Sequence, residues 1–310
     1  MTGASGTIGS EVANRLIANG ANVVCLCQDK NKVKVRGVQT VVLNLREPYQ
    51  IEKKFSEALE LLGGDLDILI LCHGVIIHHP IITTNNLEWD NLLNLNVRPC
   101  VHLTSLAMPF LKKKMEKDAS KISSKQKEKE NAKAKLNENS TEEEYNHYER
   151  LVRECDNLCK QNIVILSSAA GIVPQPGATI YSVGAAMLNS LVQCTALEVA
   201  YYGIRVNAVA PSVVDSASRQ KPDAMNREFN NNQFLQEANN TTPLLQEIPD
   251  PGDVANSICW LASNEASFVT GEILVIDGGH TLTTNRYQGQ MEKVFQSSDK
   301  GWGLFGGGRK

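Results

Sequence analysis

Thr2-Gly3-Ala4-Ser5-Gly6-Thr7-Ile8-Gly9 is the stretch on which the reading of this chain turns. Its three glycines stand at the head of a helix-length segment, Gly9 to Asn19. Glycines let the backbone come close to a bulky anion, and a helix N-terminus offers unpaired N–H groups at the positive end of its dipole. A turn of this kind cradles a pyrophosphate. The positions placed to do so are Gly3, Ser5, Gly6, Ile8 and Gly9.

Outward from this loop, apolar runs alternate with helical patterns. Val23 to Cys27, Thr40 to Leu45, Ile68 to Cys72, Ile163 to Leu166, Val206 to Val209 and Ile273 to Ile276 read as strands that a parallel sheet buries on both faces. Helices are expected over Gln50 to Leu62, Leu87 to Leu111, Tyr181 to Tyr202, and Asp253 to Ser263, the last opened by Asp250-Pro251. Strand alternating with helix predicts a doubly wound, Rossmann-type α/β domain, its sheet mostly parallel and its helices on both faces. No repeat at solenoid spacing interrupts this pattern, so residues 1–285 read as one domain.

Composition narrows the function classes. The 310 residues are 42% hydrophobic and 21% charged, with a formal net charge of -3. That balance carries no footprint for nucleic acid or for an anionic membrane surface. No uninterrupted apolar run approaches the roughly 18 residues of a membrane span, and no signal-peptide core stands at the start. The expected compartment is the cytoplasm or an organelle matrix. Eight cysteines scattered over the chain read as reduced thiols. Cys25 with Cys27, and Cys155 with Cys159, have no matching second half, so both pairs read as packing residues and no metal site is expected.

Two segments depart from the domain pattern. From Lys112 to Lys160 the composition turns to Lys, Glu, Asn and Ser, basic first and acidic after, which reads as an insertion. Tyr145, Tyr148, Val152, Cys155 and Cys159 form one helical stripe there, which either packs on its own domain or meets a partner. A tail over residues 286–310 is polar and then Gly-rich, and it carries Trp302 and Phe305, costly residues to leave in water. Protein partners, or a second copy of the chain, are expected to dock on the insertion and tail.

Taken in order, Thr2 to Gly9, Asp67-Ile68-Leu69-Ile70 leading to Gly74, Glu88-Trp89-Asp90 leading to Asn96, Ile163 to Ser168, Tyr181, Arg205 to Pro211, and Thr270-Gly271-Glu272 through Asp277-Gly278-Gly279 resemble the short-chain dehydrogenase/reductase family in its compact single-domain form. The resemblance covers nearly all of the chain except the insertion and tail. It implies hydride exchange between a nicotinamide cofactor, NAD or NADP, and a carbonyl or alcohol. By position it makes Tyr181 the general acid/base, has Ser168 hydrogen-bond the substrate oxygen, and has Asn96 hold a relay water. Ser168, thirteen residues before Tyr181, suits the family better than Ser167.

The departures are as informative. The family's lysine one helical turn after the tyrosine is Ala185 here. A phenol titrates near 10, and an ammonium about 4 Å away at an effective dielectric near 20 is worth about 4 kcal/mol, roughly a thousandfold in acidity. Losing it leaves the phenol protonated at neutral pH and removes a grip on the nicotinamide ribose. His73 stands near the expected cleft, either as a substitute charge or as a structural histidine. The family's Asn-Asn-Ala-Gly turn is Leu71-Cys72-His73-Gly74, keeping only Gly74. The ribose-reading acid falls on Cys27 and is followed by Gln28, with Asp29 or Lys30 able to compensate, so NAD and NADP both stay open. The adenine-contacting aspartate is Asn44.

One departure is architectural. Only Met1 precedes the glycine loop, where the fold calls for a central strand; its loss would open a gap of about 9.6 Å, two inter-strand spacings. An upstream segment, a strand from a neighbouring protein, or local collapse of the sheet would each answer it.

Two functions follow from these residues. Several losses at one site favour a degenerate member kept as a structural or interaction subunit, with little or no catalysis. Retention of Tyr181, Ser168 and Asn96 favours the alternative, a working NAD(P)-dependent oxidoreductase. The segment from Ser216 to Gln246 that would cover a substrate is polar and Asn-rich and names none.

Overall fold

Beta-branched and leucine-rich runs, apolar on both faces, can be buried only between two helical layers. The computed structural model, which describes residues 1–137, 140–156, 161–214, 236 and 238–282, shows that arrangement. Strands β1 (Val24–Cys27), β2 (Gln39–Val42), β3 (Ile68–Leu71), β4 (Asn162–Leu166), β5 (Arg205–Pro211) and β6 (Ile273–Ile276) all pair in parallel. β1 pairs with β2, while the order β3-β4-β5-β6 makes the larger ladder.

Side-chain alternation sorts the core. Ile163 and Ile165 of β4 join Leu71, Val206, Ile51, Phe55, Leu103 and Val192, so one face carries helices α2 (Pro48–Leu61), α4 (Arg98–Lys135) and α6 (Thr179–Val199). Val164, pointing the other way, packs with Val12, Ile70, Val209, Val254 and Ile258 under α1 (Thr7–Ala18) and α7 (Pro251–Ala262). A Pro at the start of α7 and a capping box from Asp250 to Asp253 set that helix's first turn. Among the described residues, only the stretch Thr179–Tyr202 is long and apolar enough to cross a membrane; it is α6, whose Leu188, Val192 and Ala196 are buried against the sheet.

The expected gap in the sheet is bridged by two residues. Met1 and Thr2 lie between β1 and β3, where Thr2 N–H donates to the Ile70 carbonyl (2.9 Å) and Leu26 N–H donates to that of Met1 (2.8 Å). Thr2 thereby forms single parallel bridges to both Leu26 and Leu71, which keeps the two ladders in line at their C-terminal ends.

The segment Leu87 to Leu111, expected as one helix, is three pieces: α3 (Asn86–Leu92), a π-helical turn Leu93–Val97, and α4. The charge shift at Lys112 falls inside a helix: α4 runs to Lys135 before α5 (Glu142–Asp156) packs back on it. The charges at its root are met locally. Lys114 Nζ lies 3.6 Å from Asp65 and from Asp67, Lys117 Nζ lies 2.7 Å from Asp65, and buried Gln161 donates to buried Asp118 at 3.3 Å. The hydrogen bond from Lys117 holds the Asp65 carboxyl below its usual range. These contacts sit before the starts of β3 and β4, at the opposite end of the sheet from the glycine loop, so the hairpin projects away from that loop. Tyr145 is exposed on α5; the side chains of Val152, Cys155 and Cys159, and the tail with Trp302 and Phe305, lie outside the described residues.

Candidate functional site

The glycine loop has the geometry that its composition predicts. Gly3 adopts φ +78°, and a Cβ there would overlap the Cys72 carbonyl oxygen and fall 2.8 Å from His73 N. A Cβ on Gly9 would overlap the Gly3 carbonyl, 2.6 Å from its carbon. Gly6 N–H donates to Gly3 O at 2.9 Å, and Gly6 then caps α1 with no side-chain bond and no acid in the first turn. At that terminus, whose first amides a helix leaves unpaired, Ser5 and Gly6 are exposed and Ile8 is half-buried.

Beside it, Asp29 and Asn44 follow the ends of the adjacent strands β1 and β2. Each side chain serves its own loop: Asp29 accepts from Asn31 N–H (2.9 Å), and Asn44 donates to Glu47 (2.9 Å) while accepting from Arg46 N–H (3.2 Å). Hydrogen bonds from Tyr49 and Asn44 hold the Glu47 carboxyl below its usual range.

Ser168, Tyr181 and Asn96 lie on three segments that meet at this same end of the sheet. Buried Ser168 follows β4 and accepts from Ala170 N–H (3.2 Å), opening a short 3-10 turn, Ala169–Gly171. That turn is pressed on α6: a Cβ at Gly171 would lie 2.6 Å from the Ala185 carbonyl carbon. Tyr181 is in the first turn of α6, half-buried against Ile77, Leu92 and Ile180. One turn on, a Cβ at Gly184 would lie 2.7 Å from Leu92, so α6 also rests on α3 and the π turn that carries Asn96. The Asn96 amide is committed to Val75, accepting from its N–H (2.9 Å) and donating to its carbonyl (2.8 Å), with Gly74 beside it. The Asn96 backbone carbonyl accepts from Cys100 Sγ at 3.2 Å.

Position 185 is a buried methyl group packed under Gly171. His73 does not substitute for a cation there. Its ring is half-buried, desolvation pushes its pKa down to about 4, and Nδ1 lies 2.7 Å from Thr2 Oγ1. It is a structural histidine. Cys25, Cys27, Cys72, Cys100, Cys194 and Cys259 are free thiols, and burial pushes Cys25 to about 11 and Cys72 to about 12, which fits packing residues. No metal-ligating cluster occurs among the described residues.

Two supporting groups were not anticipated. Ser167 Oγ donates to Asn189 Oδ1 at 2.6 Å and to the Ala185 carbonyl at 3.3 Å, tying the end of β4 to α6. The signal for Asn189 was its place two helical turns after Tyr181, hence on the same face; Gly171 carried no sequence signal, because its need is steric and its φ is ordinary.

With this geometry in hand, comparison with known proteins is consistent along the chain. Residues 1–136 match the family described as short chain dehydrogenase, and residues 146–281 the one described as Enoyl-(Acyl carrier protein) reductase. A 3-oxoacyl-(acyl-carrier-protein) reductase of Rickettsia typhi is 27% identical over 290 residues, spanning 90% of this chain and 94% of that protein. A tropinone reductase homolog of Arabidopsis thaliana is 25% identical over 296 residues, 93% of each. Among solved structures, the aldohexose dehydrogenase of Thermoplasma acidophilum superposes with a TM-score of 0.69 at 21% identity, covering 92% of this chain and 93% of its own. A 3-ketoacyl-(acyl-carrier-protein) reductase of Brucella melitensis complexed with NADH gives 0.68 at 20% identity, covering 90% and 96%. Both likenesses show the fold.

Proposed function

We propose that this chain, whose residues 1–136 and 146–281 match two short-chain dehydrogenase/reductase models, is an NAD(P)-dependent oxidoreductase of that family that reduces a ketone to an alcohol. The observation that carries the reading is the loop at Gly3, Gly6 and Gly9, whose backbone packs on Cys72 and on itself with no room for a Cβ at Gly3 or Gly9 and so presents the N-terminus of α1 with no side-chain cap. A dinucleotide's pyrophosphate fits that donor set. Reductases similar over nine-tenths of the chain favour this reading over a purely structural subunit. The NADH bound to the Brucella protein supports a nicotinamide cofactor in this one.

The reduced nicotinamide, when bound, supplies hydride to a carbonyl carbon. Ser168 holds the carbonyl oxygen by its hydroxyl, and Tyr181 gives that oxygen its proton. Asn96 fixes the Val75 backbone that borders the cleft. Position 185, one helical turn after Tyr181, carries a methyl group and no cation.

The test is turnover of NADPH and NADH with a panel containing a 3-oxoacyl thioester, a cyclic ketone and an aldose. Expected is reduction of at least one member, lowered about a hundredfold or more in Tyr181→Phe. Absence of turnover across the panel, with both nucleotides failing to bind, returns the chain to the structural reading.

A further inference from the structure

Pro99 stands in the first turn of α4. In a continuous α-helix residue 99 would donate its N–H to the Leu95 carbonyl; proline has no N–H, and its ring crowds that carbonyl. The backbone answers with the π turn at Leu93–Val97, where Arg98 N–H reaches back to Leu93 O. Pro99 thus offers no N–H to Leu95 O beside Asn96.

The imidazole of His73 stands at that carbonyl. Its ring is hydrogen-bonded to the Leu95 backbone, and Nε2 lies 3.7 Å from Cys100 Sγ, itself the donor to Asn96 O. A carbonyl can only accept, so the ring presents N–H toward α4; Nδ1 is then the bare nitrogen, and it accepts from the Thr2 hydroxyl at 2.7 Å. Thr2 adjoins Gly3, whose backbone rests on Cys72 and His73. One ring therefore spans from the root of the glycine loop to the turn that aims Asn96 at Val75.

We infer that His73 is a positioning residue, which supplies the donor that Pro99 withholds from Leu95 and so couples the glycine loop to the Asn96 turn. It touches no substrate. It acts through Thr2 on one side and through the π turn on the other.

The two sides separate by substitution, because an Asn side chain reaches about as far as Nδ1 and a Gln side chain about as far as Nε2. His73→Asn keeps the Thr2 contact and loses Leu95; His73→Gln does the reverse, and Thr2→Val removes the same contact as His73→Gln while leaving the ring in place. Expected for His73→Asn is exchange of the Val75 amide proton faster by about tenfold or more, with kcat lowered about tenfold and KM for the nucleotide little changed. Expected for His73→Gln and Thr2→Val is a raised nucleotide KM with Val75 exchange preserved. The kinetic readouts rest on the oxidoreductase reading, whereas Val75 exchange does not, so a chain without turnover still decides the role of His73. In the wild type, 15N spectra of the ring should show the Nε2–H tautomer, a measurement that stands if the substitutions at 73 fail to fold. The inference is overturned by the Nδ1–H tautomer, or by variants that lose stability alike while Val75 exchange and the KM-to-kcat pattern do not split.

Discussion

Gly171 lies so close to Ala185 that the missing Cβ of the one would sit 2.9 Å from the Cβ of the other. The turn after Ser168 and the helix of Tyr181 are joined at this contact.

Ala185→Lys is expected to change the pH dependence of turnover. An ammonium about 4 Å from the phenol contributes about 4 kcal/mol at an effective dielectric near 20, so the pH at which oxidation sets in should move toward neutrality. Gly171→Ala is expected to cost about 1–3 kcal/mol of stability, because the new methyl meets backbone atoms of α6 and not a flexible side chain. Rates against pH, and urea midpoints, check the pair; a pH profile that Ala185→Lys leaves unmoved contradicts the first expectation.

Arg205 is buried on β5 and donates to the Leu261 carbonyl (2.8 Å) and the Ser263 carbonyl (2.9 Å) at the C-terminus of α7. A guanidinium there meets carbonyls that the helix leaves unpaired. Arg205→Met should destabilise by about 3–5 kcal/mol, each lost charge-assisted bond being worth about 1.5–3 kcal/mol. A loss below about 1 kcal/mol in urea unfolding would show that water replaces the guanidinium at no cost.

Acid should weaken the fold from an unusually high pH. His73 is held down to about 4 when folded, against 6.5 ordinarily, so between these values the unfolded chain binds a proton that the folded chain does not. Stability contributed by the neutral ring is full above about 6.5, falls as pH drops toward 4, and amounts to about 3 kcal/mol by linkage. Asp65, held low by Lys117, adds to the loss only below the ordinary carboxylate range. Urea midpoints at pH 7 and pH 4.5 should differ in the wild type and converge in His73→Gln; parallel slopes in the two proteins refute the assignment.

The insertion should be separable only beyond its root. Removing residues 122–157 behind a short Gly-Ser linker keeps Lys114, Lys117 and Asp118 with their partners, whereas removing 115–155 takes Lys117 and Asp118 away. We expect the first deletion to melt as the whole chain does and the second to lose about 1–3 kcal/mol, mostly from stranding buried Gln161. Docking of a partner on the hairpin would appear as a change in assembly size in both deletions. Equal melting of the two deletions places the domain boundary at Lys112 after all.

Much of this molecule was legible in local chemistry. Glycines at 3, 6 and 9 declare a backbone pressed against other backbone, and runs such as Ile163 to Leu166, apolar on both faces, declare a sheet between two helical layers; both properties belong to residues and their immediate neighbours. The alternation of strand with helix then leaves few topologies. The order of Ser168, Tyr181 and Asn96 along the chain was readable for the same reason.

The tertiary structure alone decided the rest. Whether His73 carries charge depends on burial and on Thr2 and Leu95, residues 71 and 22 positions away that only the folded sheet brings to the ring. The composition shift at Lys112 suggested a boundary, yet α4 passes through it, because Asp65, Asp67 and Gln161 from other elements satisfy its charges. The break expected in the sheet is spanned by Met1 and Thr2, since two residues in extended form suffice to pair with both neighbours at one level. Propensity and patterning are properties of sequence neighbours, but desolvation, long-range hydrogen bonds and steric contact such as that of Gly171 with Ala185 are created by packing, and they determine which of the residues named by the sequence can act.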